Sequence, residues 1–293
     1  MSKPAKISVI IPVFNDAAGA MRCLDAISTQ SYPMHLIQAV LVDNESTHPV
    51  HITNTYPFTF LLKRCTTPGS YAARNVGVAM SDGDIIVFTD ADCVPMSDWL
   101  SNGVKALHAC APKSIIGGDV LVSEPNPRTG TGLYQYLMGF QQQENIHQRG
   151  FSVTANLFCT RKQFLRIGNF DERLLSGGDL EWSARAKAKG FDIGFAKDSI
   201  VTTPPRTSLA SAIRQARRVA AGRMHLRRIG AHWVDPSQLR HRRKPALSLL
   251  AAMRREKISL VDRMRVVTAA AAIKAASIAE IAYLYFGGSA ERR

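Results

Sequence analysis

The sequence predicts an α/β fold: a mostly parallel, doubly wound sheet followed by a helical, basic C-terminal extension. Three observations carry this. Over roughly the first 120 residues, short apolar runs of strand length alternate with segments of helical periodicity. Three of those runs end in polar residues, at Asn15-Asp16, Asp43-Asn44 and Asp90-Ala91-Asp92. Charge is segregated: residues 1–200 hold 18 Lys/Arg and 18 Asp/Glu, while residues 201–293 hold 19 and 5, which is the whole net +14.

The elements follow in order. Residues 7–11 (Ile-Ser-Val-Ile-Ile) read as a strand, and Asn15 or Asp16 caps a helix in which Ala17, Met21, Leu24 and Ile27 recur at helical spacing. Residues 38–42 and 58–62 are the next strands. Pro68-Gly69-Ser70 opens a helix that runs to Ala79-Met80, residues 81–84 turn, and residues 85–89 form a strand buried on both faces. Residues 114–122 read as a strand kinked at Gly117-Gly118, and residues 123–132 and 141–149 as loops. Residues 151–156 lead into a helix from about Thr160. Ser176-Gly177-Gly178-Asp179 is a hinged turn before a helix over 180–189 that stops at Gly190. Thr203-Pro204-Pro205 marks a boundary, giving a catalytic domain over 1–204 and a mostly helical extension over 205–293.

With 46% hydrophobic residues the chain is globular and long enough to bury a large core. Its five cysteines show no C-x-x-C spacing, which argues against a zinc site or a disulfide framework and fits a reducing compartment. The first apolar run is too short for a signal core and Pro12 stops it, so a cytoplasmic location is expected.

The chemistry concentrates at the strand ends. In open α/β sheets that edge collects ligands. Asp90 and Asp92, one residue apart, repel each other unless a cation lies between them. Mg²⁺ or Mn²⁺ carrying a diphosphate meets that need with hard oxygen ligands, although acids also simply cap turns.

Ile10-Ile11-Pro12-Val13-Phe14-Asn15, Val42-Asp43-Asn44-Glu45-Ser46-Thr47, Ala73-Arg74-Asn75-Val76-Gly77, Thr89-Asp90-Ala91-Asp92, Phe170-Asp171-Glu172 and Gly178-Asp179-Leu180-Glu181 together resemble family 2 glycosyltransferases, over roughly residues 6–200. The resemblance implies a GT-A fold, a nucleotide-sugar donor with a UDP-sugar favoured, a divalent metal and inversion at the anomeric carbon. It implies donor contacts from Pro12, Phe14, Asn15, Asp43, Arg74 and Asp90. Asp92 is the expected direct metal ligand, with Asp90 nearer the ribose or a metal-bound water. Arg74 reaches a phosphate or holds the cleft acids; Asn75 and Gly77 secure helix-to-strand packing. Asp179 is the expected catalytic base, with Glu181 as the fallback and an N-cap as the competing role for Asp179. Trp182 either stacks on a sugar or packs in the core. Two departures stand out: the family usually pairs two acids where this chain has Asp43-Asn44, with Glu45 where glycine is common, and it often has Glu-Asp where this chain has Gly178-Asp179.

In the extension, Leu209, Ile213, Ala216, Ala220 and Met224 keep helical spacing while Arg214, Arg217, Arg218 and Arg228 fall on another side, as on a basic amphipathic helix at an anionic membrane surface. Gln215-Ala216-Arg217-Arg218-Val219 resembles the Q-x-x-R-W signature of processive polysaccharide synthases, with Val219 in place of tryptophan. That departure points to addition of a single sugar to a glycan or lipid-linked acceptor, with Gln215 and Arg218 as diphosphate contacts. The run Arg240-His241-Arg242-Arg243-Lys244 invites nucleic acid, but without interleaved aromatics for base stacking lipid headgroups fit better. Residues 266–286 are apolar and of membrane-span length, yet contain Lys274 and Glu280; the reading is a helix packed on the body or lying in the interface, at the inner face of the cell membrane.

Overall fold

The computed structural model describes residues 4–110, 112–228, 234 and 245–289. β1 (Ile7–Val13), α1 (Ala17–Ile27), β2 (Ile37–Asp43), β3 (Thr59–Arg64), α2 (Ser70–Met80), β4 (Ile85–Thr89) and the short β5 (Val94–Pro95) come first. Next are α3 (Trp99–Cys110), β6 (Ser114–Val122), α4 (Gly130–Met138), α5 (Gln142–Glu144), a π-helical turn (Asn145–Arg149) and β7 (Asn156–Thr160). α6 (Arg161–Ile167), α7 (Gly178–Ala188), β8 (Asp192–Thr203), α8 (Leu209–Arg228), α9 (Pro245–Arg255) and α10 (Leu260–Tyr285) follow.

The strands form one mixed sheet in the order β3-β2-β1-β4-β7-β6-β8-β5. β3, β2, β1 and β4 run parallel, β7 is antiparallel to both β4 and β6, and β5 is antiparallel to β8. Every residue of β1, β2 and β4 is buried, as continuous apolar runs in the middle of a parallel block require. The register pairs Val13 with Asp43 and Ile10 with Phe88, so β1, β2 and β4 deliver their C-terminal residues to one edge.

α2 lies close on this block because Gly77 has no side chain: a Cβ there would stand 2.5 Å from Ile10 Cγ2 and 3.2 Å from Val42 Cγ2. Asn75 does something other than the expected helix-to-strand packing. Its amide donates to Phe170 O and Glu172 Oε1, and its Oδ1 accepts from Phe170 N, so it clamps the segment that leads to α7.

Four segments differ from the sequence reading. β7 occupies residues for which no strand was expected; α6 then starts at Arg161, close to the expected position, with Thr160 and Gln163 closing a capping box. The long β8 shows a mixed exposure pattern and was not anticipated. Residues 142–149 form α5 and the π-helical turn where a loop was expected, and α4 begins at Gly130, capped by Thr129. Asn156 ties these strands together: its amide donates to Asp119 O and Ser199 O, and its Oδ1 accepts from Trp99 Nε1. Gly118 leaves room for that amide, since a Cβ there would sit 2.4 Å from Asn156 Nδ2.

The chain divides into two compact units. One comprises Met1–Val120, Gln142–Arg173 and Gly178–Thr202; the other comprises Leu121–Gln141, Leu174–Gly177 and Thr203–Arg293. The second unit therefore takes in α4 as well as residues beyond 203. Its core gathers Leu133 and Leu137 of α4, Leu249 and Met253 of α9, Ile258, and Val266 of α10. α8 buries Ala212, Ala220, Gly222 and Leu226, of which Ala220 was on the expected face; Ile213, Ala216 and Met224 are partly buried and Leu209 is exposed. The turn is set by close approach: a Cβ on Gly222 would lie 2.5 Å from Ser176 O. α10 begins earlier than expected and packs on α8 and α4, with buried Glu280 paired to Arg217 at 3.0 Å. Along its other side Leu260, Met264, Val267, Ile278, Tyr285 and Phe286 are exposed. The run from Arg240 to Lys244 lies outside the described residues.

Candidate active site

The acids expected at the site, Asp43, Asp90, Asp92, Asp179 and Glu181, lie in the first unit. At the end of β2, Asp43 is buried and folds the following loop around itself, accepting from Ser46 N at 2.9 Å and Val50 N at 3.2 Å. Burial pushes its carboxyl up, but the bonds from Ser46 and Val50 and the Arg64 charge outweigh that and hold it below the usual range, so it is ionised. Asn15, at the end of β1, crosses to the same loop: its N–H donates to Ser46 Oγ at 2.8 Å and its Oδ1 accepts from Thr47 N at 2.8 Å. Asn15 and Glu45 adopt left-handed backbone, φ 53° and 64°. That is the conformation glycine takes without strain, which accounts for glycine being common at the position of Glu45. Pro12 is buried within β1 and Phe14, just past it, is largely exposed.

Asn44 explains the missing second acid. Its Nδ2 donates to Cys65 O and Thr67 O and its Oδ1 accepts from Gly69 N, so it fixes the loop that opens α2. A carboxylate could not donate to two carbonyls.

At the end of β4, Asp90 accepts a hydrogen bond from Arg74 Nη2, forming an ion pair. Arg74 is buried, and its guanidinium lies 5.5 Å from the Tyr71 ring centroid. Asp92 is partly buried. The neighbouring thiols register both carboxylates: burial first, then the charges of Asp90 and Asp92, push Cys93 and Cys23 well above the ordinary thiol range. Both cysteines are buried and reduced, as packed thiols.

Asp179 approaches from the first turn of α7, inside the helix and not at an N-cap. Tyr71 Oη donates to its Oδ1 at 3.3 Å, Leu180 N donates to the same oxygen at 2.9 Å, and Asp179 N donates back to Tyr71 Oη at 3.3 Å. Burial raises the Asp179 carboxyl above its usual range, against the Leu180 N–H, the Arg74 charge and the Tyr71 hydroxyl.

Two expected residues are engaged elsewhere. Glu181 is buried in a two-bond ion pair with Arg185, at 2.7 and 2.9 Å, while Arg185 also donates to Ile167 O and Asn169 O. Trp182 is fully buried, donates to Gly168 O and packs against Phe164 and Phe170, so it is a core residue and stacks on no sugar. Gln215 and Arg218 belong to the second unit, where Gln215 accepts from Gln135 Nε2 and Arg218 is exposed. The sequence reading overlooked Tyr71 and Ser46; the glycine beside Asp179 was the available signal, because it marks a place where something packs close.

Among the described residues no three His, Cys, Asp or Glu side chains converge as a metal cage. Asp90 and Asp92, two partly exposed hard carboxylates one residue apart, fit Mg²⁺ or Mn²⁺, which take one or two protein carboxylates and complete their shell from water and phosphate.

Comparison with known proteins agrees with this architecture. The model of Glycosyl transferase family 2 matches residues 8–166. Glycosyltransferase AglE of Haloferax volcanii is 35% identical over 205 residues, covering 68% of this chain and 67% of the relative. The pre-mycofactocin glycosyltransferase of Mycobacterium tuberculosis is 24% identical over 213 residues, covering 69% of this chain but only 43% of that protein. Among solved structures, the mannosyltransferase PcManGT from Pyrobaculum calidifontis, in complex with GDP-Man and Mn2+, superposes with a TM-score of 0.61 at 20% identity, covering 96% of this chain and 88% of its own. S. aureus TarS 1–349 in complex with UDP gives 0.56 at 15% identity, covering 98% and 93%. The chain belongs to glycosyltransferase family 2 and is a nucleotide-sugar-dependent glycosyltransferase of GT-A fold.

Proposed function

We propose that the protein moves a single sugar, with inversion, from a nucleoside diphosphate donor to a hydroxyl of a glycan or lipid-linked acceptor at the cytoplasmic face of a membrane. The observation that carries this is the link between a strand-end acid and a desolvated, oriented carboxylate: Asp179 is joined to Asp90 through Tyr71 and Arg74, while Asp43 ends the neighbouring parallel strand at the same sheet edge.

Asn15, Asp43 and Ser46 form the base pocket, and the edge of uracil offers both an N–H and carbonyls to it. A UDP-sugar is the favoured donor. Similar folds hold UDP or GDP-Man, so both bases belong in the test. Asp92 and Asp90 would hold Mg²⁺ or Mn²⁺, which when bound would supply charge neutralisation for the departing diphosphate. Asp179 takes the proton from the acceptor hydroxyl. The acceptor oxygen then bonds to the anomeric carbon, and the bond from that carbon to the diphosphate oxygen breaks. A carboxyl raised by burial is a stronger base than an exposed aspartate.

α10 supports the membrane reading. Among the described residues it is the helix long and apolar enough to cross a bilayer by length and composition, and its buried Glu280–Arg217 pair faces the protein. Its exposed apolar side, in a unit rich in arginine, suits an in-plane position on anionic lipid.

The test is a thermal-shift panel of UDP, GDP, ADP and CDP with and without Mn²⁺, followed by release of diphosphate from the matching sugar nucleotide. Metal-dependent stabilisation by one nucleotide is expected. It should be lost in Asp92→Ala, whose turnover should fall more than about a hundredfold, as losing several kcal/mol of charge stabilisation requires. Undiminished turnover in excess chelator would refute the metal assignment.

A further inference from the structure

Resting on Asp179 as the base, we infer that Tyr71 is the residue that aims it: a positioning residue that occupies the space a side chain at 178 would need. Four contacts hold the Tyr71 ring. Phe170 lies 5.7 Å away between ring centroids, the Arg74 guanidinium lies 5.5 Å from the centroid, and a Cβ on Gly178 would stand 2.7 Å from Tyr71 Cε2. The fourth is Asp179 itself, which both accepts from and donates to the hydroxyl. The ring is 5% exposed, so its hydroxyl has little freedom to go elsewhere.

The consequence for Asp179 is directional. Both of its side-chain hydrogen bonds, from Tyr71 Oη and Leu180 N, fall on Oδ1. Asp179 keeps part of its surface accessible. A carboxylate pinned through one oxygen presents the other in a fixed orientation, which is what abstraction of a proton from an incoming hydroxyl needs. The absence of a side chain at 178 is thereby explained: glycine is there so that the tyrosine can reach its neighbour. The charged and titratable groups acting on Asp179 are Arg74 and Tyr71, and both favour its ionised form against burial.

Tyr71→Phe tests this, because it keeps the ring and its packing and removes only the hydroxyl. Diphosphate release from UDP-glucose, UDP-GlcNAc and GDP-mannose with Mn²⁺ should show kcat lowered about ten- to a hundredfold with donor KM little changed, as a misaligned catalytic group implies. The acidic limb of the kcat–pH profile should move to higher pH, since a donor to the carboxylate has been lost. A ligand-free readout runs beside it: the ¹³C carboxyl resonance of Asp179, identified by its absence in Asp179→Asn, should titrate at higher pH in Tyr71→Phe than in the wild type. An unchanged carboxyl titration and an unmoved limb in Tyr71→Phe, with Asp179→Asn inactive, overturn the positioning role and leave the base in place. Wild-type turnover by Asp179→Asn overturns the base assignment, and the role of Tyr71 with it.

Discussion

The Arg74 guanidinium donates from Nη2 to Asp90 Oδ1, while its Nε and Nη1 have no hydrogen-bond partner among the described residues, although the side chain is only 3% exposed. Leaving a buried donor unsatisfied costs about 1–3 kcal/mol, so these N–H groups would gain from any anionic oxygen that reaches them. Arg74→Lys keeps a charge near Asp90 but gives up the planar fork. Calorimetric titration with the nucleoside diphosphate should show affinity reduced about tenfold or more, the equivalent of roughly 1.4 kcal/mol. Equal affinity would mean that Arg74 serves the fold alone.

Asp179 makes opposite predictions for activity and stability. Its folded carboxyl is raised by burial, so the protonated form is the one the fold favours. That contribution is complete below the unfolded aspartate range and disappears as pH rises through the folded value. Above that folded value the wild type carries a desolvated charge that Asp179→Asn lacks. There the variant should melt at a higher temperature than wild type, with the difference shrinking as the buffer is made acidic. A lower melting temperature across the whole range would count against the desolvated site.

Glu181 lies two residues further along the same helix and should behave in the reverse manner. Its pair with Arg185 is largely buried, 6% and 15% exposed, and breaking one partner of such a pair costs about 3 kcal/mol. Glu181→Gln should lower the denaturation midpoint accordingly. The fraction that remains folded should retain its specific activity, measured at a temperature well below the transition. Loss of turnover without loss of stability would restore Glu181 as a candidate base.

The exposed side of α10 should decide where the protein resides. Met264→Glu with Ile278→Glu places two charges on solvent-facing positions, which changes stability by no more than about 0.5 kcal/mol each. Flotation on vesicles containing phosphatidylglycerol should capture the wild type and release the double variant. Equal behaviour of the two proteins, or a shift of the wild type to dimer in solution without lipid, would assign the stripe to another partner.

The central strands β1, β2 and β4 were legible because they are buried on both faces and so read as unbroken apolar runs with polar or acidic residues at or just past their ends. β7 escaped because five residues beginning with asparagine, wedged antiparallel between β4 and β6, give neither a long run nor an alternation. β8 escaped for a related reason: its exposure changes along its length, so no single period describes it. Trp182 shows a different limit. Helical spacing places it near Asp179 in sequence but does not say which side of the helix meets the cleft, and the aromatic cluster of Phe164 and Phe170 claims it. On α8 the buried positions are mostly Ala and Gly, which carry too little hydropathy to announce a face. The partnership of Tyr71 with Asp179 spans 108 residues, and only the folded chain brings such positions together.

The Asn44 clip limits how far family patterns can be transplanted. Replacing Asn44 with aspartate would restore the commoner pair of acids, yet it would set a negative oxygen against Cys65 O and Thr67 O, where the amide now donates. The loop bearing Gly69 would come loose, and with it the start of the helix that carries both Tyr71 and Arg74. Anyone grafting specificity from a relative into this scaffold would have to exchange residues 43–46 and 65–69 as one cassette, because neither stretch keeps its shape in the company of a foreign counterpart.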